Sequence, residues 1–143
     1  MASSKSKTKT EKKEKKEKKG RGNYSRQKGH RYELKIIKEL NTLYNTTSLV
    51  SSRSESKRTD DAGVDIVDKD NILSFYVQCK NTQATPNPTL IDKCKLKDKP
   101  LVIFWNKQVK KETNCISEGE FVMMKKDFFY EILNKIEKED GQI

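Results

Sequence analysis

The sequence predicts an α/β fold in which a central mixed β-sheet is flanked by helices. Two observations predict it. Helical and strand-like patterns alternate along the chain, which is typical of helices packed against a sheet. In addition, residues 101–105 form a continuous apolar run directly behind Pro100, as expected for a buried strand. With 143 residues, the chain is long enough for one domain with one core.

Positive charge is concentrated at the N-terminus. Residues 1–30 contain 12 Lys or Arg and 3 acidic residues, whereas residues 31–143 contain 19 and 18. Residues 3–19 lack any large apolar side chain, so we expect residues 1–26 to be a disordered basic tail and residues 27–143 to be one folded domain. The tail is interpreted as a solvated chain, as an arm that attracts phosphate backbones, or as a nuclear-import signal.

Composition also excludes several classes of protein. No stretch approaches about 18 apolar residues, and the charged N-terminus does not resemble a signal peptide, so we expect a soluble intracellular protein without a membrane partner. Three cysteines without a Cys-x-x-Cys spacing favour neither a disulfide framework nor a structural zinc site.

The N-terminal half of the domain predicts one helix followed by strands. The helix is expected over about residues 29–44, where apolar residues recur at helical spacing: Ile36, Ile37, Leu40, Leu43 and Tyr44. Residues 48–52 are compatible with a short strand, and residues 53–63 are predicted to be a flexible polar loop. Strands are expected at about 63–68 and 72–80, joined as a hairpin by the turn-forming residues 68–71.

The C-terminal half predicts two more strands and two helices. Thr89 is expected to cap a short helix that ends near residue 95 or 97. The strand at 101–105 precedes an exposed basic loop at 107–118 and a further strand at 120–124. A final amphipathic helix over residues 127–138 is expected to bury Phe128, Phe129, Ile132, Leu133 and Ile136.

Two neighbouring predicted strands carry polar residues that suit a metal-dependent site. Asp65 interrupts one apolar run, and the second run ends in Gln78-Cys79-Lys80. Because side chains alternate along a strand, Gln78 and Lys80 are expected to share one face, where an acid from the neighbouring strand can join them.

A third acidic residue lies on the predicted helix. At about 100° per residue, Ile37, Leu40 and Tyr44 fall within about 40° of Glu33, so Glu33 occupies an inward position. A carboxylate there is costly unless it is paired or binds a metal. The alternative is that Glu33 simply complements the helix dipole in the first turn and extends towards solvent.

These residues together resemble a known family. Glu33 on the first helix, Ser51, Ser52 and Arg53 before a polar loop, Asp65, and Gln78-Cys79-Lys80 resemble the PD-(D/E)xK nuclease superfamily, most closely its archaeal and phage-type Holliday junction resolvases. The resemblance covers about residues 27–105. It implies a restriction-endonuclease-like α/β/α core, a homodimer, and Mg²⁺-dependent (or Mn²⁺-dependent) cleavage of DNA.

The sequence departs from the family pattern at two positions. Val64 stands where proline is usual, and Gln78 replaces the usual second carboxylate of the strand. An amide oxygen can still bind a hard cation, although without negative charge. The expected ligands are Asp65, Gln78, the carbonyl of Cys79 and Glu33, the last directly or through water, while Lys80 would orient or deprotonate the attacking water.

The segment before Asp65 is expected to contact DNA. Arg53, Lys57 and Arg58 would bind phosphates beside the cleavage point, and Ser51 and Ser52 would contact the cleaved strand. The alternative for all five is an ordinary edge strand and a solvated loop. The expected function is therefore a dimeric Holliday junction resolvase. The alternatives are a restriction-like or repair nuclease, a non-catalytic nucleic-acid-binding protein with the same fold, or a ribosome-associated protein.

Overall fold

The computed structural model describes residues 4–139 of the chain. These residues form five helices and five strands, and three of the strands form a mixed sheet, so the predicted mixed α/β class is confirmed. The order of the elements is α1 (Ser4–Leu43), β1 (Leu49–Ser51), α2 (Ser52–Glu55), α3 (Lys57–Asp61), β2 (Ile66–Asp68), β3 (Tyr76–Thr82), α4 (Thr89–Lys93), β4 (Leu101–Lys111), β5 (Asn114–Met123) and α5 (Lys126–Glu139).

The inward face of α1 confirms most of the predicted stripe. Tyr32, Ile36, Ile37 and Leu40 are buried at the spacing of an amphipathic helix. Leu43 and Tyr44 were expected to continue this stripe, but they are exposed because the helix ends at Leu43. The chain then turns away through Asn45, which has a left-handed φ of 51°.

The N-terminal end of α1 lies far upstream of the predicted start. The helix begins at Ser4, so the segment expected to be a disordered tail is continuous with the helix of the domain. Its Glu-Lys-Lys repeat places acids and lysines three and four residues apart, a spacing that favours helix. The division of the chain at residue 26 stays a prediction.

The strands form two separate sheets. β1 and β2 pair antiparallel, with Ser51 opposite Ile66. In the larger sheet β4 lies in the middle, parallel to β3 and antiparallel to β5. The prediction of a hairpin between residues 63–68 and 72–80 is therefore wrong: β2 and β3 belong to different sheets. The carboxylate of Asp68 instead accepts the backbone N–H groups of Ile72 and Leu73, and this turns the chain away.

Each face of the larger sheet has its own apolar core. On the face covered by α1 (the α1 face), Val77 packs with Tyr32, Ile36 and Leu40. On the opposite face (the α4 face), Leu101 and Ile103 pack with residues from α4 and the loops; these are Val64, Ile91 and Cys94. The alternation of side chains in β3 is therefore confirmed, with Val77 and Cys79 towards α1 and Gln78 towards α4.

Residues 53–63 form two short helices, α2 and α3, so the prediction of a flexible loop is wrong. Ser56 caps α3 by accepting the backbone N–H of Thr59. At the start of α4, Asn87 and not Thr89 supplies the capping oxygen, since its side chain accepts the Thr89 N–H.

The predicted basic loop at 107–118 is also wrong, because β4 and β5 continue through it as a long hairpin that turns at Glu112 and Thr113. Glu112 takes a left-handed φ of 56° at this turn. Both strands of the hairpin extend beyond β3, so most side chains there meet solvent, with Gln108 as a buried exception, and they carry no alternation of apolar and polar residues.

Helix α5 buries much less than expected. Phe128 is buried and its ring lies 6.1 Å from that of Phe75. Ile132 is only half-buried, and the other three apolar residues of the predicted stripe are exposed: Phe129, Leu133 and Ile136. No helix in the described part of the chain has the length and apolar character needed to cross a bilayer.

Candidate metal and nucleic-acid site

Asp65 is anchored by its backbone and its side chain. Its N–H donates to the Val77 carbonyl at 2.8 Å, and its own carbonyl accepts the Ser52 N–H at 3.0 Å. One carboxylate oxygen also accepts the Cys79 N–H at 2.7 Å. These bonds hold the carboxylate against the open edge of β3, on the side away from β4.

Cys79 has its backbone, and not its sulfur, directed to this edge. The N–H and C=O of one residue in a strand point to the same side, so the Cys79 carbonyl faces the edge where the Asp65 carboxylate lies. Its thiol packs against the core under α1. Burial, with a smaller contribution from the charges of Asp65 and Glu33, raises the pKa of the thiol far above its usual range. The carbonyl is therefore the group of Cys79 that can bind a cation.

Glu33 points inward, and the alternative that it extends to solvent is wrong. The residue is 3% exposed. One carboxylate oxygen accepts a hydrogen bond from the Arg53 guanidinium at 2.8 Å, and the other lies 3.4 Å from His30 Nδ1. Arg53 thus balances a buried charge, whereas the sequence predicted that it binds phosphate.

The pKa of Asp65 reports which charges surround it. The pKa of this carboxyl is raised from 3.8 to about 6, mainly by burial and to a smaller extent by the negative charge of Glu33. The Cys79 N–H, the Lys80 ammonium and the Arg53 guanidinium act in the opposite direction. Glu33 and Lys80 are thus both close enough to Asp65 for their charges to affect its pKa.

Gln78 leaves a polar atom unsatisfied. Its side-chain carbonyl oxygen is buried and has no hydrogen-bond partner among the residues that the structure describes. Its amide nitrogen lies 3.6 Å from the position that a Cβ on Gly63 would occupy. A buried acceptor without a partner is uncommon in proteins, and a bound ion or a water molecule would satisfy it.

The site spans the edge of the sheet. Glu33 approaches from the α1 face, Gln78 and Lys80 lie on the α4 face, and Asp65 lies at the edge between them. The sequence predicted convergence from neighbouring strands but did not predict that the helix acid and the strand residues approach from opposite faces.

The donor set fits a hard divalent cation. Within residues 24–138, no group of three or more His, Cys, Asp or Glu side chains is placed to hold a metal. The oxygen atoms that could hold one are the Asp65 carboxylate and the Cys79 carbonyl at the edge, with the unsatisfied amide oxygen of Gln78 on one face of the sheet and the Glu33 carboxylate on the other; all are types that Mg²⁺ accepts. A cation would also stabilise the ionised form of Asp65, which burial and Glu33 disfavour.

The five predicted DNA contacts fall into three groups. Ser51 and Ser52 are buried, and the Ser52 hydroxyl donates to Asp60 at 3.3 Å, so neither serine presents its hydroxyl at the surface. Arg53 pairs with Glu33. Lys57 and Arg58 are exposed, as a phosphate contact requires.

Two residues outside the expected ligands and DNA contacts also lie at the site. Lys95, which follows α4, lines an open cavity of about 510 Å³ together with Lys57, Arg58 and one acid, Asp61. None of these three cations has a carboxylate partner in the described part of the chain. His30 contacts Glu33 at a spacing of three residues on one helix, and this spacing is the sequence signal that could have identified it.

Comparison of the chain with protein-family models, with characterised proteins and with solved structures finds no match.

Replacing Asp65 by Asn is expected to stabilise the metal-free protein. Because the pKa is raised in the folded state, the folded protein binds this proton more tightly than the unfolded chain, and stability falls as the pH rises from about 4 to about 6. Asp65→Asn removes this loss and is expected to raise the free energy of unfolding by about 1–3 kcal/mol at about pH 7. Urea denaturation with EDTA measures it.

The gain from Asp65→Asn is expected to shrink towards zero near pH 4, where the wild-type carboxyl is protonated in the folded state. Asp70→Asn, at an exposed turn position, is the matched control and should leave stability unchanged. A variant that is less stable than wild type at both pH values would contradict the assignment.

Proposed function

We propose that this protein is a divalent-metal-dependent, structure-specific DNA endonuclease, of the type of a Holliday junction resolvase, built on a restriction-endonuclease-like core. One observation carries the proposal. Two carboxylates from distant parts of the chain, Glu33 and Asp65, interact at the edge of a sheet strand that also carries Lys80 and the unsatisfied oxygen of Gln78. The resemblance of the same residues to the PD-(D/E)xK nucleases supports it.

Asp65, Gln78 and the Cys79 carbonyl would hold Mg²⁺ or Mn²⁺. When bound, the cation would offset negative charge on the phosphate and favour deprotonation of a water molecule. Glu33 is already balanced by Arg53 at 2.8 Å, so its contribution to the cation would be through water or would need Arg53 to shift.

Lys80 would act on the attacking water. It extends from the same face of β3 as Gln78, next to the edge held by Asp65. From there its ammonium can orient a water molecule by hydrogen bonding and balance charge that develops on the phosphate.

Lys57, Arg58 and Lys95 would position the DNA. These three cations lack carboxylate partners among the described residues and outnumber the single acid of the same open cavity, Asp61, so the cavity carries net positive charge and suits contacts to phosphates. Residues 1–30, with a net charge of +9, would add affinity that does not depend on sequence.

The structure also offers an argument for a second candidate, a non-catalytic nucleic-acid-binding protein with the same fold. Arg53 neutralises Glu33, and Gln78 provides no charge for a cation. Both features lower the expected affinity for Mg²⁺. Binding of DNA without cleavage would favour this candidate.

Cleavage of labelled four-way junctions is the direct test of nuclease function. The protein is expected to cut junctions in Mg²⁺ and not in EDTA, and to lose at least about 100-fold in rate as Asp65→Asn or Lys80→Met, because several kcal/mol of charge stabilisation or proton transfer are removed. Asp70→Asn and Lys38→Met, at exposed positions, are the controls.

Duplex and single-stranded DNA assayed in parallel separate the alternatives. Symmetric nicking of junctions supports a resolvase, whereas equal cutting of plain duplex supports a restriction-like or repair enzyme. If the wild-type protein binds these substrates but cuts none of them, the nuclease proposal is wrong.

Gln78→Glu is expected to tighten metal binding. A carboxylate at this position adds negative charge beside Asp65, so the concentration of Mg²⁺ that half-saturates the protein should fall about tenfold. The measurement is the dependence of the unfolding temperature on Mg²⁺, which requires no activity. Gln83→Glu, in an exposed loop, is the control; equal effects of the two changes would remove Gln78 from the ligand set.

We also propose a homodimer, joined through α5. Phe129, Leu133 and Ile136 lie along one side of this helix and are 45%, 36% and 49% exposed. An apolar stripe of this kind is uncommon on monomeric proteins and suits a self-complementary helix pair.

Ile136→Lys is expected to convert the dimer to a monomer in sedimentation velocity, since it buries a charge in an apolar contact. Glu131→Lys, on the opposite side of the same helix, should leave the dimer intact. A wild-type protein that sediments as a monomer would contradict this interface.

A further inference from the structure

One row of side chains crosses all three strands of the larger sheet and contains Lys80. In the strand register Lys80 lies opposite Trp105, and Trp105 lies opposite Phe121. Residues in register share a face, so all three extend from the α4 face, away from α1. The row thus runs from the proposed catalytic lysine on β3 to two aromatic rings on β4 and β5.

Both rings are held in place. The Trp105 indole N–H donates to the Thr82 carbonyl at 3.1 Å, and the ring centroids of Trp105 and Phe121 are 5.5 Å apart. The Phe121 ring lies over Gly119, whose φ of 139° follows a bulge in the hairpin; a Cβ at Gly119 would come within 3.3 Å of the ring. The absence of a side chain at Gly119 therefore lets the ring lie against the strand.

The rings face a cavity that suits a flat aromatic ligand. Trp105 is buried, but Phe121 is 50% exposed and borders an open cavity of about 620 Å³. Phe129 and Lys126 also line this cavity. Lys126 has no carboxylate partner in the part of the chain described, and its Nζ lies 5.8 Å from the centre of the Tyr130 ring. Aromatic surface beside an unpaired cation is typical of sites for single-stranded nucleic acid.

The spacing relates the cavity to the proposed cleavage site. Neighbouring strands lie about 4.8 Å apart, so Phe121 is about 10 Å from the strand position of Lys80. At the rise of duplex DNA, about 3.4 Å per nucleotide, this distance covers about three nucleotides, and fewer in an extended strand. A strand whose phosphate lies at Lys80 can thus place a neighbouring base on Phe121.

We propose that Phe121, backed by Trp105, is a stacking platform for an unpaired nucleobase of the DNA strand that passes Lys80. The inference rests on the proposed nuclease function and specifies its substrate as DNA with unpaired nucleotides beside the cleaved phosphate. A base within a continuous duplex is stacked on its neighbours and cannot reach the ring unless it is flipped out.

Binding of DNA without cleavage tests the platform. Full-length protein in EDTA is titrated against a labelled single-stranded oligothymidylate and a duplex of equal length. The fluorescence of Trp105, the only tryptophan of the chain, is expected to fall with the single strand. Phe121→Ala is expected to weaken single-strand binding about tenfold, since stacking on one ring contributes about 1–3 kcal/mol, and to leave duplex binding within about twofold.

Three further variants make the result specific. Phe121→Tyr keeps an aromatic face and should bind like wild type, whereas Phe121→Leu keeps apolar volume and should bind like Phe121→Ala. Ile116→Ala alters another exposed apolar residue of β5, 43% exposed, that does not line the cavity, and it should have no effect. Thermal unfolding of each variant shows that the fold is retained.

The stacking proposal is wrong if Phe121→Ala binds the single strand as tightly as wild type, or if this change weakens single-strand and duplex binding equally. It is also overturned if Phe121→Ala dissociates a dimer without changing DNA binding, because the cavity then joins two copies of the chain. Failure to cleave any DNA in Mg²⁺ would end the nuclease proposal alone, since these titrations need no cleavage.

Discussion

The bond between the Asp65 carboxylate and the Cys79 N–H joins the two sheets of the protein at the site. Asp65 precedes β2 in the smaller sheet, and Cys79 lies within β3 of the larger one. Together with the bond from the Asp65 N–H to Val77, it replaces the ladder that β2 and β3 do not form. The position of the Asp65 carboxylate at the edge of β3 depends on this junction.

The same junction explains why the site is electrostatically unbalanced. Two acids occupy a half-buried place, and one of them, Glu33, is satisfied by Arg53. The other, Asp65, accepts the Cys79 N–H and feels Lys80 and Arg53 from a distance, but it has no ion-pair partner in the described residues and its pKa stays at about 6. Concentrating unmatched charge and an orphaned amide oxygen in one place costs stability, and proteins accept such costs mainly where they bind or react.

Local periodicity predicted the parts of the site that depend on one element. The alternation of β3 separates Gln78 from Cys79, and the helical period turns Glu33 inward; both hold in the structure. The pairing of Arg53 with Glu33 joins residues 20 positions apart, and no local pattern encodes it. The β4–β5 hairpin was missed because strands whose side chains mostly meet solvent lose the period of two. The exposed stripe of α5 was misjudged because an amphipathic pattern does not show how much of the apolar face the rest of the chain covers.

The length of β4 separates the site from the end of the hairpin. Only the first part of the strand, up to Lys107, pairs with β3, while the remainder pairs with β5 alone. The distal arm can therefore open and close locally without disturbing β3, because the two share no hydrogen bonds. The turn at Glu112 and Thr113 should therefore tolerate sequence variation, inserted peptides and proteolytic cleavage. Labels or surface linkers can be attached there without changing the candidate site.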